Sequence, residues 1–193
     1  MRVLHAIDRR AIPWKNGGGV TRQVAGFPIG SDLESFDWRV SIAEVRASGP
    51  FSRFPHIDRR IAVLKGRASL QIENRAPVEL DIDTPPLSFP GDVPSTVELI
   101  GGPVIDLNVM TRRNRFESRL RRRTLDGSRQ FSANAGVTLV FALADLTLAV
   151  PDAHCRLEEH DAVLFEPGDH SDLKWISGRR DVFLVEIFPV APL

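Results

Sequence analysis

Short apolar or alternating runs, separated by turn residues, follow one another along most of the chain and constrain its fold more than any single motif does. Gly, Pro, Asn or Asp bounds most of these runs, which is typical of β-strands, and the 193-residue chain contains 14 Gly and 14 Pro. No long segment has the 3.6-residue apolar period of a helix. The nearest, Glu117–Leu125, fits an exposed strand equally well. The pattern predicts an all-β protein, either a sandwich or a barrel.

The predicted strands are bounded by the ends of these runs. They are Asp37–Val45, Ile61–Leu64, Ala68–Ile72, Val78–Ile82, Val97–Ile100, Val104–Thr111, Val137–Val150, Ala162–Phe165, Leu173–Ile176 and Val182–Phe188. The stretch VTRQVA at 20–25 predicts one more strand, directly after three consecutive glycines.

An internal repeat divides the chain. Pro90-Gly91-Asp92 returns as Pro167-Gly168-Asp169, at an offset of 77 residues. The same offset aligns four further identical pairs: Leu80 with Leu157, Leu87 with Leu164, Gly101 with Gly178 and Leu107 with Leu184. Matches at one fixed offset indicate a duplicated unit. We therefore predict two similar β-domains that meet near residues 112–130, the first being longer because residues 1–56 have no evident counterpart.

Composition argues against several functional classes. Lys plus Arg and Asp plus Glu both number 25, so no net field attracts DNA or an anionic membrane. The single Cys155 allows neither an internal disulfide nor a cysteine-based zinc site and fits a reducing compartment. The first residues lack the apolar core of a signal peptide, and the longest apolar run is too short to span a bilayer. These features predict a cytoplasmic protein with no membrane partner.

Two strand-Pro-Gly-strand units in a chain of this size resemble a duplicated cupin, and five motif blocks resemble the HutD/Ves family. The blocks occur in the family's order and cover most of residues 12–113, whereas the C-terminal copy shares only the strand pattern and the EPGD turn. They are PWKNGGGVTR (13–22), FDWRVSIAEV (36–45), GPFSRFPHIDR (49–59), FPGD (89–92) and GGPVIDLNVMTRR (101–113).

The resemblance implies a fold and a functional setting. The fold would be a bicupin, with two jelly-roll-type β-barrels in one chain. An N-terminal barrel over residues 1–113 would hold a ligand pocket, and a C-terminal cupin-like barrel would cover residues 114–193. The family implies a link to bacterial histidine utilisation, or to stress response for the Ves branch. Its members resemble regulators or binders of a pathway metabolite.

The glycine-rich stretch admits two interpretations. A Walker-type phosphate loop is disfavoured because Lys15 precedes the glycines and no helix pattern follows them. The stretch is either a flexible surface loop or the wall of a pocket. In a pocket, Gly17 and Gly18 would let the backbone approach a ligand, Trp14 would offer an apolar platform, and Lys15 and Asn16 would donate hydrogen bonds.

Two predicted strands carry polar residues on one side. Arg39 and Ser41 alternate with apolar residues in DWRVSIA, as do Asp106 and Asn108 in VIDLNVMT. The polar side of each strand either faces water or lines the lumen of a small barrel, which can hold one small ligand.

Cations are concentrated in the N-terminal motif blocks. Lys15, Arg22, Arg39 and Arg59 are the candidates, with Asp106 as a partner for one of them. Arginine grips a carboxylate bidentately, so a cavity lined in this way suits a carboxylate ligand. The alternative is an internal ion pair between Arg39 and Asp106 that organises the barrel.

Neither a metal nor another cofactor is predicted. The five histidines include no His-x-His pair, and His154 and His160 are the nearest approach to a metal motif. No Ser-His-Asp or Cys-His spacing supports a nucleophilic site. The remaining charged feature is RRNRFESRLRRR at 112–123. It is either a patch for nucleic acid or a protein partner, or an exposed strand paired with acids; no nucleic-acid partner is predicted.

Three functions follow in order of preference. The first is binding of a small acidic intermediate of histidine catabolism in a sensing role, by a monomer or homodimer. Lys15 and Arg39 would hold carboxylates there, and Asn16, Ser41 and Asn108 would orient the ligand. The second is a metal-free cupin lyase or isomerase acting on a similar acid through Asp106 or Lys15. The third is an interaction protein that works through the arginine-rich segment.

Overall fold

The computed structural model describes residues 1–125, 131–132, 136–150, 153–167, 169, 172–175 and 179–190, and within them it contains strands and no helix. The predicted all-β class is confirmed. The strands are β1 (Arg2–Leu4), β2 (Ala11–Pro13), β3 (Gly19–Phe27), β4 (Trp38–Val45), β5 (Gly49–Pro50), β6 (Ile57–Lys65), β7 (Ala68–Ile72), β8 (Val78–Leu80), β9 (Leu87–Pro90), β10 (Ser95–Leu99), β11 (Val104–Arg112), β12 (Phe116–Leu125), β13 (Phe131–Ser132), β14 (Val137–Ala142), β15 (Leu146–Val150), β16 (Ala153–Leu157), β17 (Ala162–Phe165), β18 (Asp172–Trp175) and β19 (Arg180–Pro189).

The chain divides into two compact units. The N-terminal unit comprises Arg10–Glu117 with Val190–Leu193, and the C-terminal unit comprises Ser118–Pro189 with Met1–Arg9. The first nine residues therefore pack with the second half of the chain. The sequence predicted two barrels, over residues 1–113 and 114–193, and these barrels stay a prediction. Hydrogen bonds between the described strands form four sheets and close no barrel.

Two antiparallel sheets form the N-terminal unit. The larger has the order β2-β3-β4-β11-β6-β9 and the smaller the order β5-β10-β7-β8. Apolar side chains of both sheets meet in one core, in which Val45, Val63 and Val104 come from the larger sheet and Leu70 and Ile72 from the smaller. This packing of strand faces explains why alternating runs in the sequence became strands with one inward side.

The C-terminal unit also has two sheets, in the orders β1-β17-β14-β19-β12 and β13-β18-β15-β16. Its core contains Val140, Val182 and Leu184 from the first sheet and Leu148 and Leu157 from the second. Strand β1 pairs with β17 and supplies one edge of the first sheet. Outside this apolar cluster the unit also buries Ser118, Thr138 and Asp161.

The internal repeat extends to the topology. Shifted by the 77-residue offset of the Pro-Gly-Asp motif, the six strands β6–β11 overlap β14–β19 one by one. The order β9-β6-β11-β4 in the N-terminal unit corresponds to β17-β14-β19-β12, and β10-β7-β8 corresponds to β18-β15-β16. The two predicted similar β-units are therefore present. Gly168 and Gly178, two glycines of the sequence repeat, lie outside the described residues.

The bounds of the predicted strands need few changes. The run Val137–Val150 is two strands, β14 and β15, because residues 143–145 turn the chain between them. The predicted strand at 20–25 lies within β3. The arginine-rich segment at 112–123 comprises the last residue of β11, a turn at 113–115 and most of β12. Ile176, at the end of another predicted strand, lies outside the described residues. No described segment forms a helix of the length and hydropathy needed to cross a membrane.

Candidate functional site

The larger sheet of the N-terminal unit carries a group of polar side chains on its core face. We call this group the polar cluster and define it as Gln23, Arg39, Ser41, Arg59, Asp106 and Asn108. Strand register brings them together: on β11, Asn108 lies opposite Ser41 of β4, and Met110 lies opposite both Arg39 of β4 and Arg59 of β6. Side chains two residues apart share a face, so these residues lie on the side of the sheet that also carries Val63 into the core.

The polar cluster is buried, apart from Gln23, which is half-buried. The exposed fractions are 7% for Arg39, 3% for Ser41, 5% for Arg59, 1% for Asp106 and 5% for Asn108. The alternative that this side of the strands faces water is therefore wrong. Both faces of β4 and β11 are buried. The alternation of polar and apolar side chains along these strands therefore distinguishes a polar part of the interior from an apolar part, and not the interior from the solvent.

Three aromatic rings surround the guanidinium group of Arg59. Its guanidinium carbon is 5.0 Å from the ring centroid of Phe51, 5.0 Å from that of Phe89 and 6.0 Å from that of Phe54. Cation–π attraction offsets part of the cost of burying the charge. One Nη donates a hydrogen bond to Oδ1 of Asn108 at 2.8 Å, whereas the buried Nε has no hydrogen-bond partner. An unpaired buried donor of this kind is rare and costs about 1–3 kcal/mol.

Asp106 is linked to Arg59 through Asn108, whose side-chain amide donates to Oδ1 of Asp106. Burial raises the pKa of Asp106 to about 7, against the opposing effects of the Arg59 charge and the Asn108 hydrogen bond. Burial likewise lowers the pKa of Arg59 to about 10, with Asp106 acting in the other direction. Arg59 is therefore cationic at neutral pH, whereas Asp106 is only partly ionised.

Arg39 is the second buried cation. Its Nε donates to Oε1 of Gln23 on β3 at 3.0 Å, and burial lowers its pKa. The described ion pairs of this unit include neither Arg39 nor Arg59. The suggested Arg39–Asp106 ion pair is thus wrong, because Asp106 interacts with Arg59 instead. The cluster holds two cations against one carboxyl that is partly neutral, and it is positively charged at pH 7.

The FPGD turn shapes the space around Arg59. Phe89 contributes a ring, and a Cβ on Gly91 would lie 3.2 Å from the Arg59 side-chain stem and 3.0 Å from the carbonyl oxygen of Ile57. Glycine at this position lets the turn approach Arg59 closely. Asp92 pairs with Arg113 at 3.1 Å and ties the turn to the end of β11. Motif blocks that are far apart in sequence therefore meet at one arginine.

The glycine-rich stretch forms a tight turn between β2 and β3. The carbonyl of Gly19 accepts a hydrogen bond from the Trp14 amide at 2.9 Å, and Oδ1 of Asn16 accepts one from the Gly18 amide at 3.0 Å. A Cβ on Gly19 would lie 2.6 Å from the carbonyl oxygen of Glu44 and 3.1 Å from the Trp14 ring. Close approach of the backbone to a neighbouring strand and to a tryptophan accounts for this glycine.

The residues of this turn lie apart from the polar cluster. Trp14 is half-buried against the apolar core, and its Nε1 donates to Oγ1 of Thr21 at 2.7 Å. Lys15, Asn16 and Gly17 are exposed, and Gly18 is buried within the turn. The structure does not bring Lys15 or Asn16 to the arginines, and their proposed contacts with a ligand stay predictions.

Arg22 is separated from the polar cluster by the sheet itself. It lies opposite Ile42 on β4, whereas its neighbour Gln23 lies opposite Ser41. Its side chain is 39% exposed, and its Nη1 is 4.0 Å from Glu44. Of the eleven predicted ligand-binding residues, five therefore meet in the polar cluster: Arg39, Ser41, Arg59, Asp106 and Asn108.

Four residues of the site were not predicted. Gln23 holds Arg39, and three aromatic rings from Phe51, Phe54 and Phe89 surround Arg59. The signal for the rings was present in the motif blocks GPFSRFPHIDR and FPGD. It became meaningful only when the strand register brought those blocks beside one arginine.

The arginine-rich segment is largely neutralised within the protein. Five of its seven arginines form ion pairs: Arg112 and Arg115 with Asp37, Arg113 with Asp58 and Asp92, Arg121 with Glu186 and Arg122 with Asp181. Arg119 lies over the ring of Phe188. In the described part of the chain, no three His, Cys, Asp or Glu side chains are grouped as metal ligands; His170 lies outside that part.

Comparison with solved structures identifies the fold. A cupin 2 conserved barrel domain protein from Leptotrichia buccalis aligns over 91% of this chain and 92% of its own, with a TM-score of 0.64 and 9% identity. HutD from Pseudomonas fluorescens SBW25, in a structure described as a formate condition, aligns over 98% of this chain and 99% of its own, with a TM-score of 0.82 and 32% identity. The class is an all-β protein of cupin-like fold with a buried cationic cluster.

Sequence comparison assigns the family. The family model HutD matches residues 6–182, and the chain belongs to the HutD family. An uncharacterised 21.2 kDa protein in the hutC 3′ region of Pseudomonas putida is 30% identical over 88% of both chains. Protein Ves of Citrobacter koseri is 31% identical over 89% of this chain and 94% of its own. The predicted HutD/Ves membership is confirmed.

Proposed function

We propose that this protein binds a small carboxylic acid in the polar cluster and acts as a sensor of an acidic intermediate in histidine utilisation. The observation that carries the proposal is Arg59, a buried guanidinium with an unpaired Nε and no carboxylate within ion-pairing distance among the described residues. Aromatic rings surround it, and hydrogen bonding to Asn108 orients it.

The physical support is the incompletely compensated charge, because Asp106 interacts with Arg59 but forms no ion pair with it. Burying a charge without an ion-pair partner is costly, and an anionic ligand that reaches the guanidinium offsets part of that cost. Arginine is suited to this task because its planar guanidinium donates two hydrogen bonds to the two oxygens of one carboxylate. Ser41 and Asn108 offer neutral polar groups on the same face for orientation of the ligand.

The histidine link rests on the family. One relative is named for its place in the hutC 3′ region and one solved structure carries the name HutD. Candidate ligands with a carboxylate are urocanate, N-formimino-L-glutamate and N-formyl-L-glutamate. We further propose a cytoplasmic monomer or homodimer that needs no metal, cofactor, membrane or nucleic acid; the internal ion pairs of the arginine-rich segment support the last point.

We also propose that each unit is a jelly-roll-type barrel, so that the chain is a bicupin. The support is the matching strand order of the two units and the likeness to a cupin structure. The polar cluster would then line the interior of the N-terminal barrel.

A thermal-shift titration with the three candidate acids tests ligand binding. A ligand at about 100 times its Kd stabilises the folded state by about 2.7 kcal/mol. For a chain of this length that amounts to a rise in Tm of about 5–10 °C. No rise with any of the acids at millimolar concentration would contradict the proposal.

Two arginine variants locate the binding site. Arg59→Met removes the charge while keeping a similar apolar stem, and we expect it to abolish the ligand-induced rise in Tm. Arg22→Gln changes an arginine on the opposite face of the same sheet and serves as the matched control, with the full rise retained. Equal responses of the two variants would place the ligand elsewhere.

A second candidate function is proton-transfer catalysis on a similar acid. The observation that favours it is Asp106, because a carboxyl whose pKa is raised to about 7 suits a general acid or base. Lys15, the other candidate, lies in an exposed turn. Turnover of a pathway acid that Asp106→Asn abolishes while ligand binding survives would establish the enzyme; binding without turnover by the wild type would exclude it.

A further inference from the structure

Three groups that enclose Arg59 are fixed by sheet hydrogen bonds. Phe89 lies opposite Arg59 on the neighbouring strand β9, and Asn108 accepts a hydrogen bond from it on β11. Phe51 directly follows β5, and its amide donates to the carbonyl oxygen of Ser95 at 2.9 Å, next to the pairing of β5 with β10. The backbones of these groups cannot move away from Arg59 unless a sheet is broken.

A fourth cover over Arg59 belongs to no strand. Residues 52–55, which we call the lid, connect Phe51 to the start of β6. Phe54 is half-buried and places its ring 6.0 Å from the Arg59 guanidinium, whereas the other three lid residues are exposed. Because Arg59 is 5% exposed, a ligand reaches it only when one of its covers moves.

Two hydrogen bonds fasten the lid to the FPGD turn. The amide of Phe54 donates to the carbonyl oxygen of Gly91 at 2.8 Å, and Nε of Arg53 donates to that of Asp92 at 3.0 Å. The Phe54 ring also makes an edge contact with Phe36 at 6.3 Å. None of the ion pairs among the described residues includes a lid residue. The lid is therefore the cover with the fewest attachments.

The turn and the far end of the lid are both anchored to Arg113, at the end of β11. Its side chain pairs with Asp92 at 3.1 Å and with Asp58 at 2.8 Å, and its amide donates to the carbonyl oxygen of His56 at 2.8 Å. His56 has a φ of 63°, in the left-handed region that residues other than glycine seldom adopt. Residues at the ends of elements are the usual hinges of moving loops, and His56 stands where the lid joins β6.

We propose that the lid opens between Phe51 and His56 as a hinged gate, and that Phe54 closes the approach to Arg59 once a carboxylate has entered. This inference rests on the proposed function and concerns how its site is reached. Opening breaks the two hydrogen bonds to the FPGD turn and exposes one ring, so it leaves the sheets intact. Closure excludes water, which strengthens the attraction between the guanidinium and an anion.

Amide hydrogen exchange of the ¹⁵N-labelled full chain tests the opening without a ligand. The amides of Phe51, Phe54 and Arg113 each donate to a backbone carbonyl, but only the Phe54 bond breaks when the lid opens. We expect the Phe54 amide to exchange at least about tenfold faster than the other two, each relative to its rate in an unfolded chain. Equal protection of the three amides would overturn the gate.

NMR titrations with urocanate, N-formimino-L-glutamate and N-formyl-L-glutamate connect the lid to binding, because line shapes give both rate constants. Loss of an ordinary contact changes mainly the dissociation rate, whereas easier opening raises association and dissociation together. Arg53→Met removes one fastening hydrogen bond, and we expect both rate constants to rise about two- to tenfold while Kd stays within about twofold.

Arg75→Met is the matched control. Arg75 is also an exposed arginine that donates to a backbone carbonyl, that of Ser88 at 3.5 Å, but it lies outside the lid. Its rate constants should equal those of the wild type.

The outcomes separate the gate from the proposed function. Unchanged rate constants in Arg53→Met, or a change in dissociation alone, would overturn the gate and leave the carboxylate site standing. Failure of the wild type to bind any of the three acids would overturn the proposed function and the gate together, even where the Phe54 amide exchanges fast. The exchange measurement uses the wild type, so it is decisive even where a variant does not fold.

Discussion

The two units of this protein share a strand order but differ in what fills their interiors. In the N-terminal unit, Asp106 lies opposite Val63 on the core face. At the 77-residue offset Val63 corresponds to Val140, and there the facing residue is Leu184, a member of an apolar core. The same offset aligns Leu184 with Leu107, but the register shift of β11 between Ile105 and Asp106 places Asp106 opposite Val63, as Leu184 is opposite Val140. A carboxyl in one copy is therefore an aliphatic side chain in the other.

The Pro-Gly-Asp turns of the two units also differ in their contact with a buried charge. The FPGD turn of the N-terminal unit places Phe89 over Arg59, whereas the EPGD turn has the exposed Glu166 at the corresponding position. No arginine lies at the position that corresponds to Arg59, which is Gly136. The comparison indicates that the N-terminal unit is charged at positions where the C-terminal unit is apolar, which is the pattern expected when a binding site occupies only one of two similar units. The C-terminal unit buries charge elsewhere, at Asp161 and at Arg9, whose Nε and Nη1 have no hydrogen-bond partner.

The largest effect on stability is expected when a carboxyl is placed in the apolar core of the C-terminal unit. Leu184→Asp places a carboxyl in a cluster of apolar side chains, and we expect a loss of at least about 4 kcal/mol in the free energy of unfolding. Urea denaturation followed by far-UV circular dichroism measures it. A loss below about 1 kcal/mol would show that this core accommodates charge and that the contrast between the units is weaker than the structure indicates.

Removing charge from the polar unit should have a much smaller effect. Arg59→Met replaces an incompletely paired buried cation by an apolar side chain, and Asp106 can then stay protonated, so the unliganded protein should lose no more than about 1 kcal/mol for the hydrogen bond to Asn108. Urea denaturation followed by tryptophan fluorescence reports on this unit, which contains Trp14 and Trp38. A clear loss of stability would mean that Arg59 is a structural cation rather than one kept for a ligand.

The pH dependence of the free energy of unfolding should reflect the buried carboxyl of the N-terminal unit. Burial raises the pKa of Asp106 from 3.8 to about 7, so the folded protein keeps a proton that the unfolded chain has released. The stability from the protonated carboxyl is full below about pH 4 and is lost as the pH rises to 7, with a slope of at most about 1.4 kcal/mol per pH unit.

Asp106→Asn tests this slope, because the amide cannot ionise. The difference in unfolding free energy between Asp106→Asn and the wild type, measured by urea titration from pH 4.5 to 7.5, should grow with pH in favour of the variant. Groups common to both proteins, such as His5, cancel in the comparison. Parallel pH profiles would show that Asp106 is ionised throughout.

The smallest effect is expected on the outer face. Arg22→Gln removes a half-exposed arginine whose ion pair with Glu44 spans 4.0 Å, and a change of no more than about 0.5 kcal/mol should result. Thermal denaturation measures it. A larger loss of stability would show that charged residues on the outer face of the sheet also distinguish the two units.

Most strand positions, the duplication and the family could be predicted because each depends on a local or periodic pattern. The short strands β1, β2, β5, β9, β13 and β16 were not predicted. Alternation identified β4 and β11, and the Pro-Gly-Asp offset anticipated the correspondence of β6–β11 with β14–β19. The split between β14 and β15 was missed, because the run over Val137–Val150 is apolar on both sides of its turn. The sequence also left open whether the three consecutive glycines form a turn or the wall of a pocket, because glycine is suited to both.

What the sequence determined by itself is most of the strands, their two-fold repetition and the presence of arginines and amides among them. Only the tertiary structure decided that Arg39 and Asn108 face a core rather than water, that Asp106 interacts with Arg59, and that Arg22 lies on the other side of the sheet. The physical reason is that periodicity specifies two faces of a strand, whereas burial depends on which sheet covers each face. That choice is made by residues far away in the chain.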